Sequence, residues 1–404
     1  MKFAGYKPVY SRAIGFVIVL AGWLGASANA ATVVAWGAGK SVVDGSVNQG
    51  QGIIPTNLNS VVQISGGFYN SLGLLSNSII TNWGDASLGQ DGTPSNLTNA
   101  IAIAAGGQHE VGLRADGFVE AWGDGFYGQT LVPGNLSNVV AISGGYYHTL
   151  ALKKDGTVAA WGTDTNDIGN DPDYGQSLVP PGLSNVVAVA AGGYHSLVLK
   201  SDGTIAMWGD NSFHQTNAPT GLSNLVAIAA GGFHNLALKA DGSVVAWGDN
   251  TYGQTNVPAG LSNVISVAAG KAHSLALKSN GTVIAWGDGL SATSSNSDDF
   301  AQCVIPANLT NVIEIAAGGW HSLALVGAAP PVVQTPLLNP KFTTNGFSTV
   351  ISVQSGRVYQ LQYKSALTDL NWVSLPLAAG VPGTLTLRDS TASNSARFYR
   401  VLRW

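Results

Sequence analysis

One phrase recurs through the chain. In one copy it reads Ala191-Gly192-Gly193-Tyr194-His195-Ser196-Leu197-Val198-Leu199-Lys200-Ser201-Asp202-Gly203-Thr204-Ile205-Ala206-Met207-Trp208-Gly209. Seven copies can be traced, one of them split between the two ends. The His position holds Asn70, His109, His148, His195, His234, His273 and His321, and the Trp position holds Trp36, Trp83, Trp122, Trp161, Trp208, Trp247 and Trp286. Each of the first six His-position residues is followed by its Trp 13 residues later. A unit that repeats at this period cannot bury its apolar face alone. It predicts a solenoid, a propeller or an array in which neighbours supply each other's core.

The units read as short antiparallel strands. Val186 to Ala190 is apolar, Ser196 to Lys200 follows a Gly-Gly turn, and Thr204 to Trp208 follows a two-residue Asp-Gly turn, a strong hairpin signal. A fourth, weaker segment runs through Gly-Gln to a proline (Pro55, Pro94, Pro133, Pro180, Pro219, Pro258, Pro306), which suits an edge strand or a loop. Four strands per unit and seven units predict an all-β chain, a seven-bladed β-propeller over 31–327. Thr32 to Trp36 is a second half-hairpin without its first half. His321 to Leu325 supplies the missing half, so the two segments are expected to pair and close the ring.

Residues 1–30 read as a secretory signal peptide. Lys2, Lys7 and Arg12 precede an apolar run from Ala13 to Gly25, and Ala28-Asn29-Ala30 ends in a small-x-small cleavage pattern after Ala30. The expected destination is secreted, periplasmic or cell-surface, with no membrane contact after cleavage. Cys303 is the only cysteine, which excludes an intramolecular disulfide. Residues 31–330 carry 8 Lys and Arg against 20 Asp and Glu, whereas 331–404 carry 7 against 2. An acidic body of this kind argues against nucleic acid as partner. Residues 328–341 read as a Pro-rich linker without helix or strand. Residues 342–404 hold five alternating segments that predict a small β-sandwich separate from the ring.

Insertions indicate a face. The spacing from Trp to the following Gln is 7 residues in four units and 15 or 16 in the units of Trp36, Trp161 and Trp286. Strand alternation puts these loops at the same end as the Gly-Gly-x-His turns, here called the top, and insertions confined to one face often mark the binding face. The residue before the His position is Tyr69, Gln108, Tyr147, Tyr194, Phe233, Ala272 and Trp320, and near the Gln on the same face stand Tyr127, Tyr174, Phe213, Tyr252 and Phe300. Exposed aromatics of this kind anchor protein interfaces. A residue repeated once per unit serves the unit, so the His ring reads as structural rather than as a metal or proton site, and the Trp ring as core. The His-Ser pairs lack an orienting acid, so no catalytic residue, metal or cofactor is expected. The loop 164–173 has four Asp, but Ile168 and Gly175 stand where an EF-hand needs oxygen ligands.

The units, for example 229–254, resemble the repeats of the family named for the regulator of chromosome condensation, closest in style to secreted bacterial members such as a β-lactamase inhibitory propeller. The resemblance covers about 32–326 and implies the seven-bladed fold. It also implies that a bound protein would meet Tyr69, Tyr147, Tyr194, Phe233 and Trp320, with Asp124, Asp210 and Asp249 of the Trp-Gly-Asp loops; Gln108 and Ala272 depart from the aromatic pattern. The expected function is that of an exported, non-enzymatic protein that binds a macromolecule, most simply a protein, on its top face. The alternative is a carbohydrate- or cell-surface-binding protein attached through its C-terminal β domain.

Overall fold

The computed structural model describes residues 31–39, 49–56, 58–163, 173–290, 300–328 and most of 334–403. The expected signal peptide and the inserted parts of the three long loops (40–48, 164–172 and 291–299) lie outside the described residues.

Among the described residues, seven three-stranded antiparallel sheets follow one another around a ring. In one of them Val186–Ala191 pairs with His195–Lys200, which pairs with Ile205–Gly209. The middle strand of every unit is buried along its length except at the last residue, because it has sheet on both sides and a neighbouring blade on each face. The alternation sends Leu197 and Leu199 into one inter-blade layer and Val198 into the next. Thr32–Gly37 pairs with His321–Val326 in the register Trp36 to Ser322, so the chain ends share one blade. Val61–Gly66 packs against both Val312–Ala317 and His321–Val326, which closes the ring.

Two local expectations change. The Asp-Gly turn is a three-residue loop rather than a two-residue one. The Lys200 amide bonds the Thr204 carbonyl, and Gly203 alone is left-handed at φ 79° while Asp202 accepts the Thr204 amide at 2.9 Å. A type I turn followed by a left-handed glycine needs φ above zero at one residue only, so Asp is free to act as the side-chain acceptor. The fourth segment is turn and coil, not strand: each sheet has three strands, and the proline removes the amide that a ladder would use.

The C-terminal segment forms two sheets, one of Gln334–Thr335, Phe398–Arg403, Val358–Lys364 and Val373–Ala379, the other of Leu338–Thr343, Gly346–Val353 and Gly383–Asp389. Phe347, Ile351, Tyr359, Leu361, Leu387, Tyr399 and Val401 fill the space between them. The stretch expected to be a strandless linker thus contributes two strands. Its Pro340 falls where the pairing of Leu338–Thr343 shifts register, a place that tolerates a missing donor. Nor is this segment separate from the ring. Leu377, Val358 and Ala379 pack against Val187 and Val226, the Leu377 amide bonds the Ser201 carbonyl at 3.0 Å, and Arg357 meets Glu314 at 3.8 Å. These ring residues lie at the Asp-Gly end, so the C-terminal sheets cover the bottom face. Burial raises the Glu314 carboxyl to about 7 despite the opposing pull of Arg357.

Candidate functional site: an aromatic floor on the top face

The top face rests on two belts of bonds between blades. Each Trp indole donates to the backbone carbonyl of the preceding unit's Gln, at 2.8 to 3.0 Å in all seven positions. The same Gln side chain folds its own loop by accepting the amide two residues earlier, as Gln215 does from Phe213 at 2.8 Å. The repeated Gln is therefore a joint, with its main chain bound across the blade interface and its amide oxygen bound within the loop.

The histidines form the second belt. Each Nε2 meets the residue after the next blade's His: His109 to Thr149, His148 to Ser196, His195 to Asn235, His234 to Ser274, His273 to Ser322 and His321 to Ser71, at 2.8 to 3.1 Å. The partner is in each case a side chain of the following blade. In four of these pairs the serine hydroxyl gives its single hydrogen to a Gln carbonyl, at 2.8 to 3.0 Å. It can only accept from the imidazole, and Asn235 Oδ1 likewise only accepts. The tautomer follows: Nε2 carries the proton and Nδ1 is bare. Burial depresses the pKa to about 4 at His109 and His273 and to about 3 at His148, His234 and His321, and lowers His195 too. In the unit lacking His, Asn70 donates to the fully buried Glu110, whose carboxyl burial pushes well above the usual range. Among the described residues no group of three or more His, Cys, Asp or Glu could hold a metal.

On these belts lies a continuous aromatic floor. Tyr194 stacks on Phe233 with ring centroids 5.4 Å apart, and Tyr147 meets Tyr194 at 5.7 Å. The outer loop aromatics lean on the inner ring: Tyr127 on Tyr147 at 5.0 Å, Tyr174 on Tyr194 at 5.6 Å and Phe213 on Phe233 at 5.0 Å. Tyr69 packs on Trp320 at 5.3 Å. Tyr252 is exposed, and Phe300, Tyr69, Tyr147, Tyr174, Tyr194 and Phe233 are half-buried. Trp320 departs from the expectation of a contact residue: it is only 5% exposed, and the Lys271 ammonium lies 4.4 Å from its ring centroid.

The aspartates are held inside their loops. Asp249 accepts from Thr251 and from Gln254 Nε2 at 2.7 Å, Asp124 accepts from the Phe126 amide and from Gln129, and Asp210 accepts from Ser212 and from Gln215. Asp210 is buried and its side chain shapes the loop; Asp124 and Asp249 are half-buried at the rim.

Three residues missed by the sequence reading lie at the centre. The position two before the His is glycine in four units but Phe68, Tyr146 and Lys271 in the others. Phe68 and Tyr146 are 4.7 Å apart. A Cβ at Gly193 or Gly232 would come within 3.0 Å of Tyr146, so its ring lies across the top of the central channel, a cavity of about 280 Å³ lined by the innermost strands. The three departures from glycine were the available signal. Phe126, 83% exposed beside Tyr127, was missed as well.

A closed ring of small sheets, tied blade to blade and presenting loops at one end, is a β-propeller. Residues 139–167, 186–215, 225–254 and 264–291 match the regulator of chromosome condensation (RCC1) repeat, so the chain carries RCC1 repeats in these four places. The structure is similar to Prp20p from Saccharomyces cerevisiae, with 22% identity, a TM-score of 0.57, and coverage of 74% of this chain and 92% of that one. Human WBSCR16 is similar at 17% identity and a TM-score of 0.55, over 75% of this chain and 100% of that one. At these identities the likeness establishes the fold. No curated protein matches the chain in sequence.

Proposed function

We propose that this is an exported, non-enzymatic binding protein that takes a protein partner on the top face of its propeller. The aromatic floor carries the reading. It runs unbroken from Trp320 through Phe68, Tyr146, Tyr194 and Phe233 to Phe213, and the C-terminal sheets occupy the opposite face. Aromatic rings immobilised on a rigid scaffold lose little side-chain entropy on binding, which makes them efficient anchors. Prp20p, which shares the fold, is described by its binding to Gsp1p and histones, and that precedent fits a protein-binding role here. Export rests on the leader pattern of residues 1–30. Contact with polysaccharide or the cell envelope through the C-terminal sheets is the second proposal, and a glycan panel that fails to retain the full chain counts against it.

Tyr194→Ala combined with Phe233→Ala is expected to lower affinity for the partner by roughly 30- to 150-fold, the effect of losing a central anchor of about 2–3 kcal/mol. The melting temperature should change little, because both rings are half-exposed and their backbones hold the turn. Affinity unchanged in the double variant would refute the top-face assignment.

A further inference from the structure

One cavity on the top face has the walls of a cation site. It has a volume of about 190 Å³ and is lined by Phe68, Tyr69, Gly107, Gln108, Tyr146 and Tyr147. It exists because one unit breaks the pattern. Gly107 and Gln108 stand where a neighbouring unit has Tyr146 and Tyr147, so one aromatic pair is missing between two that are present. The walls turn corners rather than stack: Phe68 lies at 82° to Tyr69 and 80° to Tyr146, and Tyr146 lies at 87° to Tyr147. Drug-sized ligands occupy about 300 Å³ or more, so a space of this size admits one headgroup or one side chain.

Charge decides which kind. No Lys or Arg lines the cavity. The backbone of Asp85 and Asp124 runs beside two of its walls, with their amides bonded to the carbonyls of Tyr69 at 3.0 Å and Gln108 at 2.8 Å, while their carboxylates accept the Ser87 and Phe126 amides of their own loops. The same aromatic floor already holds a cation, since Lys271 lies over Trp320 and Trp320 packs on Phe68 at 4.5 Å. We infer that this cavity is a binding site for a compact organic cation, an ammonium group bearing alkyl substituents. Such a group loses little hydration on entry and gains the negative faces of several rings. A free quaternary ammonium compound or a cationic side chain on the partner would present the same chemistry. The inference rests on the reading of the top face as the binding face.

The test uses the full mature chain and needs no unidentified ligand. Choline and its neutral isostere 3,3-dimethylbutan-1-ol are titrated against it, followed by tyrosine fluorescence or by chemical shifts of ring protons. Choline is expected to bind roughly 5- to 30-fold more tightly than the isostere, the ratio expected from a cation–π gain of about 1–2 kcal/mol. Tyr69→Leu and Tyr147→Leu should each remove that preference, and Tyr147→Phe should retain it. A lysine- or trimethyllysine-bearing peptide, compared with choline in the same assay, separates the two sources. Tighter binding of the peptide points to a partner side chain, and tighter binding of choline to a free ligand. Equal binding of choline and the isostere, or binding of neither at millimolar concentration, overturns the inference. If partner capture by the top face persists in that case, only this cavity's role falls and the functional reading stands.

Discussion

Gly231→Ala is expected to destabilise the propeller by about 3 kcal/mol or more, or to prevent its folding, because no neighbour can give way. A Cβ there would stand 2.4 Å from His234 Cε1 and 2.5 Å from the carbonyl oxygen of Gly270 in the next blade. The imidazole cannot swing aside without breaking its bond to Ser274, and the carbonyl accepts the Gly232 amide at 3.0 Å. The equivalent glycines, Gly106, Gly145, Gly192, Gly270 and Gly318, face the same contacts. Gly221→Ala is the control: its φ is +75°, but a Cβ would meet nothing within 4 Å, so only the left-handed conformation is penalised, by about 1–2 kcal/mol. Urea unfolding of the two variants measures both. Equal losses would show that the glycine contacts between blades do not matter.

Acid should unfold the protein well before its surface carboxylates titrate. Six buried imidazoles are neutral in the fold, with pKa values lowered from 6.5, several of them to about 3 or 4. Below pH 6.5 the unfolded chain therefore binds protons that the native ring does not. The stabilisation from each imidazole is present above about pH 6.5 and is lost as the pH falls toward its folded value. Glu110 and Glu314 act in the opposite sense. Their raised values make them protonated in the fold, so their contribution is present below pH 4.5 and is lost as the pH rises, through about 7 for Glu314. Six groups outweigh two, and stability should fall steeply from pH 6.5 to 4.5 with a net uptake of about four protons on unfolding. Urea midpoints across this range give the slope. A flat profile would mean that the imidazoles are charged or exposed in the native state.

Much of this architecture can be read from the repeats. The split unit gave the pairing of Thr32–Gly37 with His321–Val326, and the Asp-Gly spacing gave the hairpins. The top face with its aromatic residues was legible because strand alternation fixes which turns share an end. What a pattern reports is the average unit, so departures from it were hidden. Phe68, Tyr146 and Lys271 replace a turn glycine and look like loop variation until the ring brings them to the channel mouth. Trp320 fits the aromatic pattern in sequence yet is covered in space by Lys271. The docking of the C-terminal sheets on the bottom face was not legible either. It depends on apolar residues such as Leu377 and Val226, whose facing surfaces carry no shared period in the chain.

Top-face binding is tested most directly by capture with residues 31–404 from the extracellular and envelope fractions of the source cells. The comparison is with Tyr194→Ala/Phe233→Ala, its fold checked by thermal melting. A protein retained by the unsubstituted chain and lost from the folded variant is the result expected. A protein retained equally by both, and displaced only when residues 331–404 are removed, would contradict the account and move recognition to the C-terminal sheets.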